Sequence, residues 1–300
     1  MLQPFFSIII PSYNRALHLL NAIHSVQNQS FQSFEIIVMD DGSSDSTKDV
    51  VFQLIQEDNR ISYFYQSNSE RAIARNNGAK KAIGAYFIFL DSDDSFCGEN
   101  HLQNIFDFIK TQDNKIALFF TGATIVSSET NYQTRNIELE ELKEIDYFIH
   151  ESVIPARVCL PNIFMQEFQF DPDCIIVEDT VLWTLILDKY PVHYIPIHSV
   201  TYNIHEGNSV NISNKNAYAL RLKGLNKLFQ VYSVGKKIRK STKVKHLSRC
   251  FLGISDYYYY KGLNFYALSW LLFSLLRFPR VEARHKIKKI LTFREYNNIN

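Results

Sequence analysis

The feature that most constrains this chain is the rhythm of its first hundred residues. Short apolar, often β-branched runs alternate with stretches of helical period, and three of the runs end in a polar cluster. Phe5–Ile10 is apolar apart from Ser7 and is met by Pro11, and Ala16–Gln29 then places Leu19, Leu20, Ile23 and Val26 at helical spacing. Glu35–Met39 predicts a second strand. Asp45-Ser46-Thr47 offers an N-cap to a helix continued by Val50, Val51, Leu54 and Ile55. Ile61–Tyr65 reads as a third strand, Arg71–Ile83 as a helix with Gly84 at its C′ position, and Ala85–Leu90 as a fourth strand. Strands separated by helices imply right-handed βαβ units and a mainly parallel sheet flanked by helices.

Further along, Ile116–Val126 predicts a strand and Leu139–Ile149 a helix. Asp179–Asp188 predicts a helix leading to a strand over Val192–Val200. From about Asn211 only helical periods remain, as at Leu225, Leu228, Phe229 and Tyr232. The expected organisation is an α/β domain over residues 1–210 and a helical region over 211–300, with no internal repeat.

Charge divides the chain in the same way. Residues 1–220 hold 14 Lys and Arg against 28 Asp and Glu, whereas residues 221–300 hold 18 against three, Asp256, Glu282 and Glu295. An overall charge of +1 therefore conceals an acidic part and a strongly basic one that suits an anionic partner. Hydrophobic residues make up 46%, enough for a sizeable core and too many for a disordered chain. Cys97, Cys159, Cys174 and Cys250 form no zinc-type pair and read as buried free thiols of a reducing compartment. Met1-Leu2-Gln3-Pro4 has no basic leader character. Leu263–Leu276, as a helix, spans roughly 21 Å against a hydrocarbon core of about 30 Å, so a spanning segment is not expected.

In an open parallel sheet, ligands bind beyond the carboxyl ends of the strands. The segment after each strand is therefore the informative one. Pro11-Ser12-Tyr13-Asn14-Arg15 comes after the first strand, Asp40-Asp41-Gly42-Ser43-Ser44-Asp45 after the second, and Asp91-Ser92-Asp93-Asp94 after the fourth. These clusters should converge on one edge and supply an aromatic face and several carboxylates. Carboxylates sharing a crevice repel one another unless a cation joins them, and a hard, oxygen-seeking Mg²⁺ or Mn²⁺ suits them. A nucleoside diphosphate completes the picture, with its base near Tyr13, a carboxylate accepting from a base N–H, and the metal on the diphosphate. An isolated Asp-x-Asp turn also serves merely as a solvated cap to a following helix. Here it comes after Phe-Ile-Phe-Leu and is joined by two further clusters.

Together these residues resemble a known family. Ser7-Ile-Ile-Ile-Pro-Ser-Tyr-Asn14, Ile37-Val-Met-Asp-Asp-Gly-Ser-Ser-Asp45, Ala74-Arg-Asn76 and Phe89-Leu-Asp-Ser-Asp-Asp94 are similar, in order and spacing, to family 2 glycosyltransferases of the GT-A fold. Val177-Glu-Asp-Thr-Val-Leu-Trp183 resembles that family's Glu-Asp motif. Tyr202-Asn-Ile-His-Glu-Gly-Asn-Ser209 resembles its Tyr-x-x-His-x-x-x-Ser closing loop. The likeness covers about residues 5–210, with a nucleotide-sugar-binding half over about 1–95 and an acceptor half over about 96–210. One departure is visible: where the family reads Gly-rich or small residues before Ala-Arg-Asn, this chain has Asn68-Ser69-Glu70-Arg71.

The resemblance implies roles. Pro11 and Tyr13 would line the base pocket, Asp41 would bond the base, most naturally uracil, with Asp40 as its neighbour, and Arg75 would contact the nucleotide. Asp91 would lie near the ribose or sugar, Asp93 would ligate the metal, His205 would approach the diphosphate or the metal, and Asp179 would be the general base. The implied enzyme is inverting, uses a nucleotide-sugar donor, and transfers to a glycan or lipid-linked glycan hydroxyl, as in bacterial surface polysaccharide synthesis. Acceptor contacts are expected within residues 120–175, where Pro155-Ala-Arg157 and Asn162 are the candidates. Each residue also has a plainer use: Tyr13 as a strand-end aromatic, Arg75 as a helix ion pair, Asp179 as a favourable charge at a helix N-terminus, His205 as a surface histidine.

The basic region adds Tyr257–Tyr260, Phe265, Tyr266 and Trp270, followed by Arg277, Arg280, Arg284, Lys286, Lys288 and Lys289. This composition fits a peripheral anchor on the anionic inner face of the cell membrane and so a cytoplasmic enzyme; a helical cap on the catalytic domain is the simpler use. Nucleic-acid binding is not expected, because the aromatics cluster with Leu rather than among the basic residues. Two other functions compete: a haloacid-dehalogenase-like phosphatase using Asp91 as nucleophile, and a non-catalytic nucleotide- or glycan-binding module. Three βα units precede the Asp-x-Asp turn, whereas that phosphatase motif stands directly after the first core strand. No Gly-x-Gly-x-x-Gly stands after any strand, which leaves a dinucleotide enzyme unsupported.

Overall fold

Strands buried on both faces carry apolar residues at successive positions, and β1 (Phe6–Ser12), buried throughout, does so over Ile8, Ile9 and Ile10. Its Phe6, Ile8 and Ile10 enter one core while Ile9 enters the core on the opposite face. The computed structural model describes residues 3–113, 115–127, 131–134, 137–138, 140–151, 153–204, 215–279, 281 and 286. It divides the chain into two units, Met1–Pro172 with Leu182–His205, and Asp173–Val181 with Glu206–Asn300.

In the first unit β1 is followed by α1 (Ala16–Gln27), β2 (Phe34–Asp40), α2 (Thr47–Glu57), β3 (Ile61–Tyr65), α3 (Arg71–Lys81) and β4 (Tyr86–Phe89). Then come β5 (Ser95–Phe96), α4 (His101–Thr111), β6 (Leu118–Val126), β7 (Asn131–Gln133), α5 (Tyr147–His150), β8 (Val158–Pro161) and α6 (Phe164–Glu167). Helix α7 (Glu178–Leu187) carries the chain from one unit to the other, and β9 (Val192–Asn203) completes the sheet. The strand order is β3-β2-β1-β4-β8-β6-β9-β5, with β7 beside β6. β3, β2, β1 and β4 are mutually parallel, and β8 runs antiparallel to both β4 and β6. Parallel pairing brings the ends of β1, β2 and β4 to one edge. Each buried Ile or Val in these strands contributes about 1.5–3 kcal/mol, so the sheet centre anchors the loops beyond it.

Several local expectations change. Pro11 lies inside β1, paired in register with Met39. Leu90 donates to the Ile9 carbonyl and the β4 ladder then stops, so two residues later along that edge a missing N–H has no strand to serve. Helix α3 ends at Lys81, because Ala82 is already extended, and Gly84 is no C′ residue. A Cβ on Gly84 would lie 2.5 Å from Ser7 Oγ, so this glycine allows close approach to β1. The helix expected over Leu139–Ile149 breaks at extended Glu144 into a 3₁₀ turn (Glu141–Lys143) and the single turn α5, which bury Leu142, Tyr147, Phe148 and Ile149 separately. Of the four free cysteines Cys97 is exposed, and the other three are buried as expected.

The second unit contains α8 (Lys215–Gln230), α9 (Lys240–Tyr260) and α10 (Asn264–Arg277). α9 and α10 form an antiparallel hairpin: Ser255 Oγ donates to the Ala267 carbonyl at 2.8 Å, Ser248 meets Ser274, and Phe251 stacks on Trp270. Gly262, at φ +70°, closes α9. Its N–H bonds the Tyr259 carbonyl and the Leu263 N–H bonds that of Tyr258. Lys286 is not a surface cation. It is fully buried and donates to Ser248 Oγ and to the Ser274 and Phe278 carbonyls at the end of α10. No helix among the described residues is long and apolar enough to cross a membrane.

Candidate active site

The loops beyond β1, β2 and β4 are tied to one another. Asn14, left-handed at φ 52°, receives a bond from the Ser44 N–H on its side chain and donates its own N–H to Ser43 Oγ. Asp45 reaches across to accept from the Ala16 N–H at the start of α1, as well as from the Thr47 N–H and hydroxyl. Burial pushes its carboxyl pKa up, and those bonds outweigh it and hold the pKa below the ordinary value. Arg15 Nη1 pairs with Asp93 Oδ2 at 3.2 Å, joining the first loop to the acidic turn. Pro11 is buried behind this frame, and the Tyr13 ring is half exposed on it.

The two acids after β2 have different surroundings. Asp40 is spent internally: Oδ1 accepts from the Ser43 N–H and Oδ2 from the Tyr63 hydroxyl at 2.6 Å. Burial and this carboxylate together push the Tyr63 hydroxyl pKa up. Asp41 accepts with Oδ1 alone, from Gln66 Nε2 at 2.7 Å and the Ser69 N–H at 2.8 Å. Its Oδ2 makes no hydrogen bond among the described residues, although the residue is almost fully buried. Gly42 permits the turn between β2 and the loop beyond it: its φ is +88°, and a Cβ would sit 2.8 Å from the Asn68 nitrogen.

The acidic turn is held from both sides. Arg75, almost fully buried, places Nη2 2.6 Å from Asp91 Oδ1 with its guanidinium over the Phe170 ring. The neighbouring Asn76 exchanges two bonds with the Phe170 backbone and fixes that ring. Asn203, at the end of β9, donates Nδ2 to the Asp93 carbonyl and its N–H to Asp94 Oδ1. Asp94 is buried, and its Oδ2 has no hydrogen-bond partner among the described residues. Burial first, then Asp91 and Asp93, raise its carboxyl pKa well above the ordinary range. An unsatisfied buried carboxylate oxygen beside two more carboxylates fits a hard divalent cation. Among the described residues no three His, Cys, Asp or Glu side chains form a ready-made cage.

The departure noted before Ala74-Arg-Asn76 has a conformational counterpart. Glu70 caps α3 at φ 75°, ψ 152°, a region that glycine alone occupies without strain. Ile176, two residues before Glu178, also has positive φ, 77°. In the second unit, Glu178 is buried and Asp179 half-buried in the first turn of α7, with Asp179 Oδ1 accepting from the Thr180 N–H. His205 and most of the Tyr202–Ser209 loop lie outside the described residues. Of the acceptor-side candidates, Arg157 is buried and donates to the Thr121 carbonyl, and Asn162 is half-buried and donates to the Gly84 carbonyl.

The structure thus brings Tyr13, Asp41, Arg75, Asp91 and Asp93 to one edge of the first unit. Arg15, Asp94 and Asn203 join them. All three stand inside motifs quoted from the sequence, but no role was assigned to them there; Asn203 is delivered by the pairing of β9. The fold is that of GT-A glycosyltransferases. The chain belongs to the glycosyl transferase family 2, whose profile matches residues 7–177. It is 29% identical over 288 residues to the GalNAc(5)-diNAcBac-PP-undecaprenol beta-1,3-glucosyltransferase of Campylobacter jejuni, covering 91% of this chain and 89% of that one. The crystal structure of Staphylococcus aureus TarS 1-349 with UDP-GlcNAc superposes with a TM-score of 0.61 at 17% identity, over 91% of this chain and 81% of that one. The mannosyltransferase PcManGT of Pyrobaculum calidifontis, solved with GDP-Man and Mn²⁺, superposes with a TM-score of 0.56 at 13% identity, over 99% of this chain and 84% of that one.

Proposed function

We propose that this glycosyltransferase takes its sugar from a UDP-sugar and transfers it, with inversion, to a hydroxyl of a glycan or lipid-linked glycan. The observation that carries the donor reading is Asp41: one oxygen is held by Gln66 and Ser69, and the other is left to accept from the N–H of a uracil-type base. Tyr13 offers a half-exposed ring for the base, and Pro11 backs the pocket. Arg75 acts by holding Asp91 toward the ribose or sugar. Asp93 with Asp94 would hold Mn²⁺ or Mg²⁺; His205, the further ligand that the resemblance implies, lies outside the described residues. When bound, that ion neutralises charge on the departing diphosphate.

Asp179 is assigned the proton transfer. An acceptor hydroxyl is too weak an acid to attack unaided, so the carboxylate takes its proton as the oxygen bonds to the anomeric carbon. The bond from that carbon to the diphosphate oxygen breaks on the opposite face, and the nucleoside diphosphate leaves. A single displacement of this kind inverts the anomeric centre and requires no covalent intermediate. The similarity to a transferase named for an undecaprenol-linked glycan supports a lipid-linked acceptor, and such an acceptor suits an enzyme that works at a membrane surface.

Thermal unfolding against UDP, GDP, CDP and ADP, each with and without Mn²⁺, tests the donor reading. A ligand at about 100 times its dissociation constant adds about 2.7 kcal/mol, a shift of several degrees. A Mn²⁺-dependent shift with UDP alone is expected. A shift with another nucleotide and none with UDP overturns the assignment of Asp41.

A further inference from the structure

From the surface of the second unit we infer that α10 lies flat in the headgroup layer of an anionic bilayer, inserting Phe265, Leu272, Phe273 and Leu276. This surface is remote in sequence from the donor motifs, and its role does not depend on the nucleotide assignment. Seven of the seventeen large hydrophobic side chains that the described residues leave exposed fall between Tyr260 and Leu276. Phe265 and Leu276 are 79% and 83% exposed, Tyr266 is 54%, and Phe273 and Leu272 are 45% and 41%. They share one side of the helix, because Phe265, Leu272 and Leu276 recur at i, i+7 and i+11 with Tyr266 and Phe273 alongside. The other side is spent on α9 through Ala267, Leu271 and Ser274. An apolar face of this extent on a solvated surface marks an interaction site.

Charge decides the occupant. No acidic residue stands between Asp256 and Glu282. Exposed Lys261 and Arg277 bracket the helix at its two ends. A second copy fits poorly: an antiparallel pair of α10 helices sets Lys261 against Arg277, and a parallel pair sets each cation against itself. An anionic leaflet accepts both cations together with the apolar strip and the Tyr side chains at its interface. With 14 residues, α10 is about 21 Å long, too short to span and long enough to lie in the plane. Tight closure of α9 at Gly262, and Lys286 on the carbonyls at the other end of α10, hold the strip in place without its own side chains.

The test is co-sedimentation of the full chain with vesicles of phosphatidylcholine alone, and with about one third phosphatidylglycerol. The wild type should sediment with the anionic vesicles. Phe265→Asp with Leu276→Asp should weaken that partition at least about tenfold. Lys261→Gln with Arg277→Gln should weaken it about tenfold and reduce its salt sensitivity. These side chains are exposed, so melting temperatures should match the wild type, and turnover of a water-soluble acceptor should persist. The inference is overturned if the wild type ignores anionic vesicles, or if the Phe265/Leu276 variant binds them equally well. It is also overturned if light scattering finds a wild-type dimer that this variant splits into monomers.

Discussion

Replacing Asp41 by Asn should invert the base preference of the enzyme. The Ser69 backbone N–H lies 2.8 Å from Asp41 Oδ1 and cannot become an acceptor, so it fixes the orientation of any amide placed there. The Asn oxygen must take the Oδ1 position, with Gln66 still able to donate to it, and the NH₂ group then points where Oδ2 stood. A uracil N–H would meet a donor instead of a carboxylate. Loss of a charge-assisted hydrogen bond amounts to about 1.5–3 kcal/mol, which weakens UDP binding roughly 10- to 150-fold. Cytosine presents a lone pair at the same ring position, so CDP should gain relative to UDP. Isothermal titration of UDP and CDP with Mn²⁺ present measures both effects, and the unfolding temperature of Asp41→Asn checks that its local bonds survive. An Asp41→Asn protein that binds UDP within about threefold of wild type, with no relative gain for CDP, refutes this reasoning.

Other consequences rest on particular contacts. Glu70→Gly should relieve the strain at φ 75° and stabilise the protein by about 1 kcal/mol after the entropy of the added glycine, raising Tm by about 2 °C in calorimetry. Arg75→Met should cost about 2–3 kcal/mol in urea unfolding by leaving Asp91 uncompensated, and a second change, Asp91→Asn, should recover part of that loss. His101 is fully buried, stacked on Phe96 and bonded to Ser199, and burial pushes its pKa down to about 3. The folded state therefore stays neutral while the unfolded state takes up a proton, so stability present above pH 6.5 falls as pH drops toward 3. Between pH 7 and 5 this one group should account for about 2 kcal/mol, a slope that His101→Gln abolishes in pH-dependent denaturation.

The first four strands and three helices were legible because both signals that mark them are local: apolar runs for the strands, helical period and caps for the helices. The acidic turn at Asp91–Asp94 was legible because parallel strands send their succeeding loops to one edge. Three things were not. Gly84 has the look of a helix C-cap, yet its role is a contact with Ser7, 77 residues away. Leu139–Ile149 has the apolar content of a helix, yet the chain is extended at Glu144, and a 3₁₀ turn and α5 bury its apolar side chains separately. The hydrogen bonds of Arg157 and Asn162 to the Thr121 and Gly84 carbonyls join residues 36 and 78 positions apart, which no local pattern shows. In the site, the difference between Asp40 and Asp41 depends on Tyr63, Gln66 and Ser69, which strand β3 and the loop after it deliver. No spacing rule distinguishes two adjacent aspartates. The count of basic residues likewise overstated the surface charge, since Lys286 is buried against α10.

We propose sugar transfer from a UDP-sugar that requires both Asp93 and Asp179. Its most direct measurement is release of UDP from a panel of UDP-sugars, with Mn²⁺ and an undecaprenol-linked glycan acceptor, by wild type, Asp93→Asn and Asp179→Asn. The wild type should release UDP in an acceptor- and Mn²⁺-dependent way. Both variants should lose that release by at least about a hundredfold, with Asp179→Asn still binding UDP. Undiminished release by Asp179→Asn, or by Asp93→Asn at limiting Mn²⁺, would contradict it.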